Sequence, residues 1–185
     1  MEILSTVSEP QKSINNLDIG QRYLTDLEIY FEHNKFDTIK HYKNSNNAAV
    51  IVEPREHNLL RQIIKCINFY CNIFPKKQTN VEIEYATDFN IYLIGGNKSE
   101  NFLKQEFPNQ SDNIKFINME IENINAEQHN FLLQQEIFWQ QIKEKHILIF
   151  QTDSFMFNPI PKKYLEYDFA GAVAINEHSK TPNNR

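Results

Sequence analysis

The residues best suited to chemistry in this chain stand at Gln151-Thr152-Asp153, directly after the apolar run His146-Ile147-Leu148-Ile149-Phe150. An apolar strand ending in a carboxylate delivers a hard anionic oxygen to its C-terminal mouth. Chemistry on nucleotide diphosphates uses such a group, because a divalent cation must bridge a protein carboxylate and the diphosphate oxygens to neutralise the leaving group. The position equally suits an Asp that caps the following turn. A second cluster, Glu53-Pro54-Arg55-Glu56-His57, follows the apolar run Ala48-Ala49-Val50-Ile51-Val52. There Arg55 is able to hold a phosphate or stack on a base, and Glu53 to accept a hydrogen bond from a ribose or base. The plainer reading is that Glu53 or Glu56 pairs with Arg55 and that His57 is an exposed early-helix residue.

Other chemistries lack their residues. Gly95-Gly96-Asn97-Lys98-Ser99 has neither the upstream glycine of a P-loop nor G-x-G-x-x-G, and reads as a permissive turn. The six histidines never show H-E-x-x-H spacing, and neither cysteine has an identifiable His partner, which leaves a zinc protease and a cysteine hydrolase unsupported. Ser154 lacks the G-x-S-x-G elbow of a serine hydrolase. Trp139 falls in a long helical pattern, where an aromatic is a core residue before it is a ligand platform.

Positioning these residues requires an alternation of strands and helices. Residues 1–20 are polar, contain Pro10 and Gly20, and read as a loose arm. Tyr23, Leu24, Leu27, Tyr30 and Phe31 recur at helical spacing, so an amphipathic helix is expected from Gln21 to about Tyr42. Residues 48–52 form a strand buried on both faces, and residues 58–74 a helix ended by Pro75. Further strands are expected over 89–94, 114–119, 146–150 and 168–175, with a short irregular one over 81–85. Residues 98–107 form a short helix and 126–145 the longest one. This order predicts an α/β fold with a mainly parallel central sheet flanked by helices. Ligands of such sheets bind beyond the carboxyl ends of the strands, which directs attention to 53–57, 95–97 and 151–154. The expected organisation is an arm and helix over 1–47, the α/β domain over 48–175 and a polar tail over 176–185.

Composition narrows the classes further. The chain has 185 residues, 41% of them hydrophobic, a length that favours one compact domain with a short extension. Its 19 Lys and Arg against 24 Asp and Glu give a net charge of -5, which argues against a general nucleic-acid binder. Abundant Asn, Ile and Lys point to an AT-rich genome, as in some large DNA viruses and protists. Cys66 and Cys71 suit neither a disulfide nor a structural zinc site, and favour a reducing compartment. Without a signal-peptide pattern or an apolar stretch of about twenty residues, a soluble cytoplasmic protein with no membrane span is expected.

Taken together, Ala49-Val50-Ile51-Val52-Glu53-Pro54-Arg55-Glu56-His57, Phe138-Trp139, Ile147 to Ser154, and Leu165-Glu166-Tyr167-Asp168-Phe169-Ala170-Gly171-Ala172 resemble domain-of-unknown-function family 5672, whose members are glycosyltransferase-like. The resemblance spans residues 48–175. It implies a GT-A-like fold in which a nucleotide-sugar binds at the strand ends with Mn2+ or Mg2+. In that setting Asp153 alone stands where GT-A enzymes usually carry Asp-x-Asp, as the carboxylate ligand of the metal. Gln151 would hydrogen-bond the donor, and Glu53 and Arg55 would position the nucleotide. The family pattern continues Gly-Ala-Pro-Trp where this chain has Gly171-Ala172-Val173-Ala174. It then runs into a Gly-Asn-Gly-Gly segment that this sequence does not reach, so the resemblance implies truncation on the acceptor side. The expected function is hexosyl transfer from a nucleotide-sugar donor to an unknown acceptor, with no catalytic base named and Asp168 in a structural role. The alternative is a catalytically inactive nucleotide-binding or interaction module that keeps the fold.

Overall fold

A computed structural model describes residues 16–34, 38–57, 59–77, 82–154, 156–168 and 170. Its centre is a parallel four-stranded sheet made of β1 (Asn47–Val52), β2 (Phe89–Gly95), β3 (Ile114–Asn118) and β4 (His146–Phe150), in the order β3-β2-β1-β4. The helices are α1 (Asn16–Asn34), α2 (Leu60–Asn68), α3 (Phe74–Lys77), α4 (Asn97–Glu106), α5 (Ala126–Leu133) and α6 (Glu136–Trp139). This is the α/β arrangement that the alternating pattern predicts. The candidate strand over 168–175 lies outside the described residues except for Asp168 and Ala170, and the tail over 176–185 lies wholly outside them.

Every residue of β2 is buried, as a strand covered on both faces requires. One face presents Ala49, Ile51, Ile91 and Leu93 to Leu60, Ile63, Ile64 and Ile67 of α2 and to Leu24 of α1. The other presents Ala48, Val50, Tyr92 and Ile94 to Phe138 and Ile142. Each fully buried Leu, Ile or Val among them contributes about 1.5–3 kcal/mol. β4 is an edge strand among the described residues, and its Ile147 and Ile149 stay 37% and 44% exposed.

Four expectations about the elements need correction. α1 begins at Asn16 and runs through Gly20, because a single Gly costs a helix only about 1 kcal/mol and the stripe of Tyr23, Leu24, Leu27 and Phe31 packs on the body. Among the described residues it spans Asn16–Asn34, and residues 38–42 are not helical. The second helix passes Pro75 through a π-helical turn at Phe69–Ile73, where the Phe74 N–H reaches the Phe69 carbonyl. Pro75 follows directly on that turn, and having no N–H it cannot continue the ordinary i to i−4 ladder there. Of the irregular strand over 81–85, the described part contains only the bridge between Tyr85 and Pro161, and Val81 lies outside it.

The fourth correction concerns residues 126–145, which form two short helices and not one long one. The indole N–H of Trp139 donates to the Leu133 carbonyl at 2.7 Å, and the amide of Gln135 donates to the Phe131 carbonyl at 3.1 Å. Side chains thereby take carbonyls that a continuous helix would have given to its own backbone. The break lets Phe138 reach the sheet, and Trp139 stacks edge-on against it with ring centroids 4.7 Å apart. Trp139 is a packing residue, as its place in the pattern predicts. α1 is the longest described helix, and no described helix is long and apolar enough to cross a membrane.

Candidate functional site

In the order β3-β2-β1-β4, the chain leaves β1 towards β2 on one side and returns as β4 on the other. The carboxyl ends of β1 and β4 therefore flank the point where the connections diverge, the crevice in which α/β sheets bind ligands. β1 and β4 pair in the register Ile51 opposite Phe150, and two further steps bring Glu53 opposite Thr152. The Thr152 hydroxyl donates to Glu53 Oε2 at 3.2 Å, and the Glu53 N–H donates to the Ile94 carbonyl at 2.9 Å, extending the ladder to β2.

A cleft of about 550 Å³ opens at this point. Glu53, Arg55, Gln151 and Asp153 all line it, so the two segments singled out in the sequence meet there. Glu53 is 3% exposed, and its carboxylate accepts from Arg55 Nε at 2.8 Å, from Arg55 Nη2 at 3.1 Å and from the Arg55 backbone N–H at 3.1 Å. The pairing is the plainer of the two readings of this segment. It holds the buried charge in a fork of donors and leaves the outer edge of the guanidinium towards solvent. Asp153 and Gln151 are exposed, and among the described residues no hydrogen bond engages either side chain.

The remaining segments go elsewhere. Gly95 and Gly96 are close-packing positions: a Cβ on Gly95 would lie 2.7 Å from the Glu53 carbonyl, and one on Gly96 would lie 2.3 Å from the Ile121 carbonyl. Neither has a positive φ, so close approach accounts for these glycines and a permissive turn does not. Neither lines the cleft. His57 Nδ1 accepts from the Leu59 N–H at 3.2 Å, which makes His57 a local cap for the start of α2. Asp168 is exposed and lies along the groove beside β4, away from the cleft. Cys66 and Cys71 are buried free thiols.

The opposite wall of the cleft was not legible in the sequence. It comes from the start of α5 and includes Asn125, His129 and Asn130. Asn125 and Gln128 close a reciprocal capping box at 2.8 and 3.0 Å, which fixes where this helix starts and hence where His129 points its turn. The capping pattern was the available signal, but it does not by itself say that α5 faces the end of β4.

The donor set bears on the metal that the resemblance implies. Among the described residues no group of three or more His, Cys, Asp or Glu side chains forms a cage. Asp153 and Gln151 are hard oxygen donors on an open wall. That set fits a Mg2+ or Mn2+ ion held by one or two protein oxygens and completed by diphosphate and water, and does not fit an ion held by protein alone.

No curated protein and no solved structure matches the chain. One family does, over a segment shorter than the resemblance suggests: the match begins next to β3, includes the end of β4, and leaves Glu53 and Arg55 outside. Residues 113–185 match the family described as "Protein of unknown function (DUF5672)".

Proposed function

We propose that the chain binds a nucleotide-sugar in the cleft between β1 and β4 and belongs to a glycosyltransferase-like system. The observation that carries this reading is the meeting, at the divergence point of a parallel sheet, of an exposed carboxylate, an exposed amide and an arginine whose outer edge is open. Asp153, with Gln151, would hold a divalent cation that arrives with the diphosphate, and that cation supplies neutralisation of the leaving group. Arg55, already oriented by Glu53, would contact phosphate oxygens without leaving its buried partner. In the transfer the bond between the anomeric carbon and the diphosphate oxygen breaks, a bond to the acceptor oxygen forms, and the nucleoside diphosphate departs. His129, which lines the same cleft, would take the acceptor proton.

A second reading, a nucleotide-binding module without turnover, is favoured by the closed pairing of Glu53 with Arg55, which leaves Asp153 as the carboxylate open to a ligand. The test is calorimetry of the purified chain against UDP, GDP, CDP and their sugars, with and without Mn2+, alongside Asp153→Ala. Cation-dependent binding that disappears in the variant supports the proposal, and release of free nucleotide from a nucleotide-sugar, lost in His129→Gln, separates the first reading from the second. A folded protein that binds none of these compounds overturns both.

A further inference from the structure

Beside the cleft, a larger groove of about 940 Å³ runs along α5, and the two cavities share Ile124 and Asn130. We infer that this groove binds a neutral glycan and, resting on the proposed donor site, serves as the acceptor side of the same centre. Phe131 lies on its wall with 63% of its surface exposed, an arrangement the core does not call for. Around it stand four amides, Asn123, Gln128, Asn130 and Gln134. The side chains of Asn130 and Gln134 engage in no hydrogen bond among the described residues, while Asn123 and Gln128 use their oxygens on the backbone N–H groups of Ile124 and Asn125 and keep their NH2 donors.

This mixture selects a chemical class. A pyranose has an apolar face of C–H groups and a rim of hydroxyls. The electron-rich face of Phe131 suits the first, and carboxamides, which donate and accept side by side, suit the second. Among the described residues the lining of the groove has no Lys or Arg and its charged residue is Glu127, which disfavours a phosphorylated or otherwise anionic ligand. A wholly apolar ligand would leave the amides desolvated without partners. His129 and Asn130 both line the cleft and Asn130 also borders the groove, so the proposed proton acceptor shares a wall with an amide common to both cavities.

The test is saturation-transfer NMR on the full chain with the methyl glycosides of glucose, galactose, mannose and N-acetylglucosamine and with maltotriose as probes. At least one neutral sugar should receive saturation through its ring C–H protons. Phe131→Ala should bind it about tenfold more weakly, the scale of a lost aromatic contact, and Phe131→Tyr should retain it. Because Phe131 is exposed, the melting temperature should be unchanged, and Asn130→Ala provides a second variant with the same expected loss. No transfer to any of these sugars, or transfer that survives in both Phe131→Ala and Asn130→Ala, overturns the inference. Nucleotide titration of the same preparation separates the two proposals: nucleotide binding without sugar contact removes only the glycan groove, and sugar contact without nucleotide binding removes the donor site and with it the acceptor role, leaving the groove as a glycan site alone.

Discussion

Arg55 grips the carboxylate of Glu53 at two points, Nε to Oε1 at 2.8 Å and Nη2 to Oε2 at 3.1 Å, although the guanidinium side chain is 55% exposed and the carboxylate side chain 4%. The asymmetry predicts unequal variants. Arg55→Ala strands a buried charge with only the residue-55 backbone N–H and Thr152 as donors, and should cost about 1–3 kcal/mol. Glu53→Gln keeps the shape and removes the charge, so the double variant Glu53→Gln with Arg55→Ala should be more stable than Arg55→Ala alone. Urea denaturation of the three proteins measures this, and a double variant less stable than Arg55→Ala would show that the buried charge is not the source of the cost.

At the other end of the sheet, Glu144 is buried and accepts from Asn90 at 2.7 Å, Tyr92 at 2.6 Å and Lys115 at 2.8 Å. Burial alone would raise its pKa, but the bonds from Lys115, Tyr92 and Asn90 outweigh burial and lower it. A lowered folded-state pKa contributes stability that is present above the unfolded value, about 4.3, and is lost as pH falls through the folded value. Melting temperature should therefore fall more steeply below about pH 4.3 in the natural protein than in Glu144→Gln. For Tyr92 burial is the largest cause of a raised pKa; for Lys115 burial opposes the rise, and the bonds to Glu144 and Tyr92 produce it. Their contributions are present below the unfolded values, about 10, and are lost as pH climbs through the folded ones. Parallel acid and alkaline profiles in the two proteins would mean that this network is not coupled to folding.

Gly96→Ala is expected to disturb the cleft without touching it. The new Cβ would meet the Ile121 backbone carbonyl at 2.3 Å, so the loop after β3 must shift. Glu122 of that loop accepts from the Asn97 N–H at 3.0 Å at the start of α4, and Ile124 lines both cavities. Overpacking of this kind costs about 1–3 kcal/mol. A melting temperature equal to that of the natural protein would show that the loop yields freely.

The two thiols should be inert while the chain is folded. Burial pushes Cys66 up to about 11 and Cys71 higher still. Disulfide exchange proceeds through the thiolate, so labelling with a disulfide reagent at pH 8 should wait for denaturant. Rapid labelling of the native protein would contradict the burial of these residues.

Much of this architecture is legible in residue order. The runs 48–52, 89–94, 114–119 and 146–150 predict strands that the structure places within one residue or so at each end. Their reach is local pattern, and local pattern carries the information. The split of 126–145 is not legible, because it depends on the Trp139 indole finding the Leu133 carbonyl, a contact that hydrophobic spacing does not encode. The π-helical turn before Pro75 is hidden for the same kind of reason, since Asn72 binds both the N–H and the carbonyl of Phe89 at 2.7 and 3.0 Å and fixes the turn against β2. At the cleft, Gln151, Asp153, Glu53 and Arg55 are visible as strand-end residues. His129 and Asn130 are not, because the helix that carries them is turned towards the site by tertiary packing, with Leu132 and Leu133 against the sheet, which local pattern does not encode.

The register of β1 against β4 also sets the order of events in folding. Glu53 and Thr152 are separated by 99 positions. During synthesis the loop after β1 emerges well before the loop after β4, and the two walls meet only when this long segment closes on itself. Closures of such span are slow steps in parallel sheets. A ligand of the cleft would thus bind only chains that have completed the sheet, and its binding energy would add to their stability by mass action. The cleft would act as a checkpoint on finished folding as well as a place for chemistry.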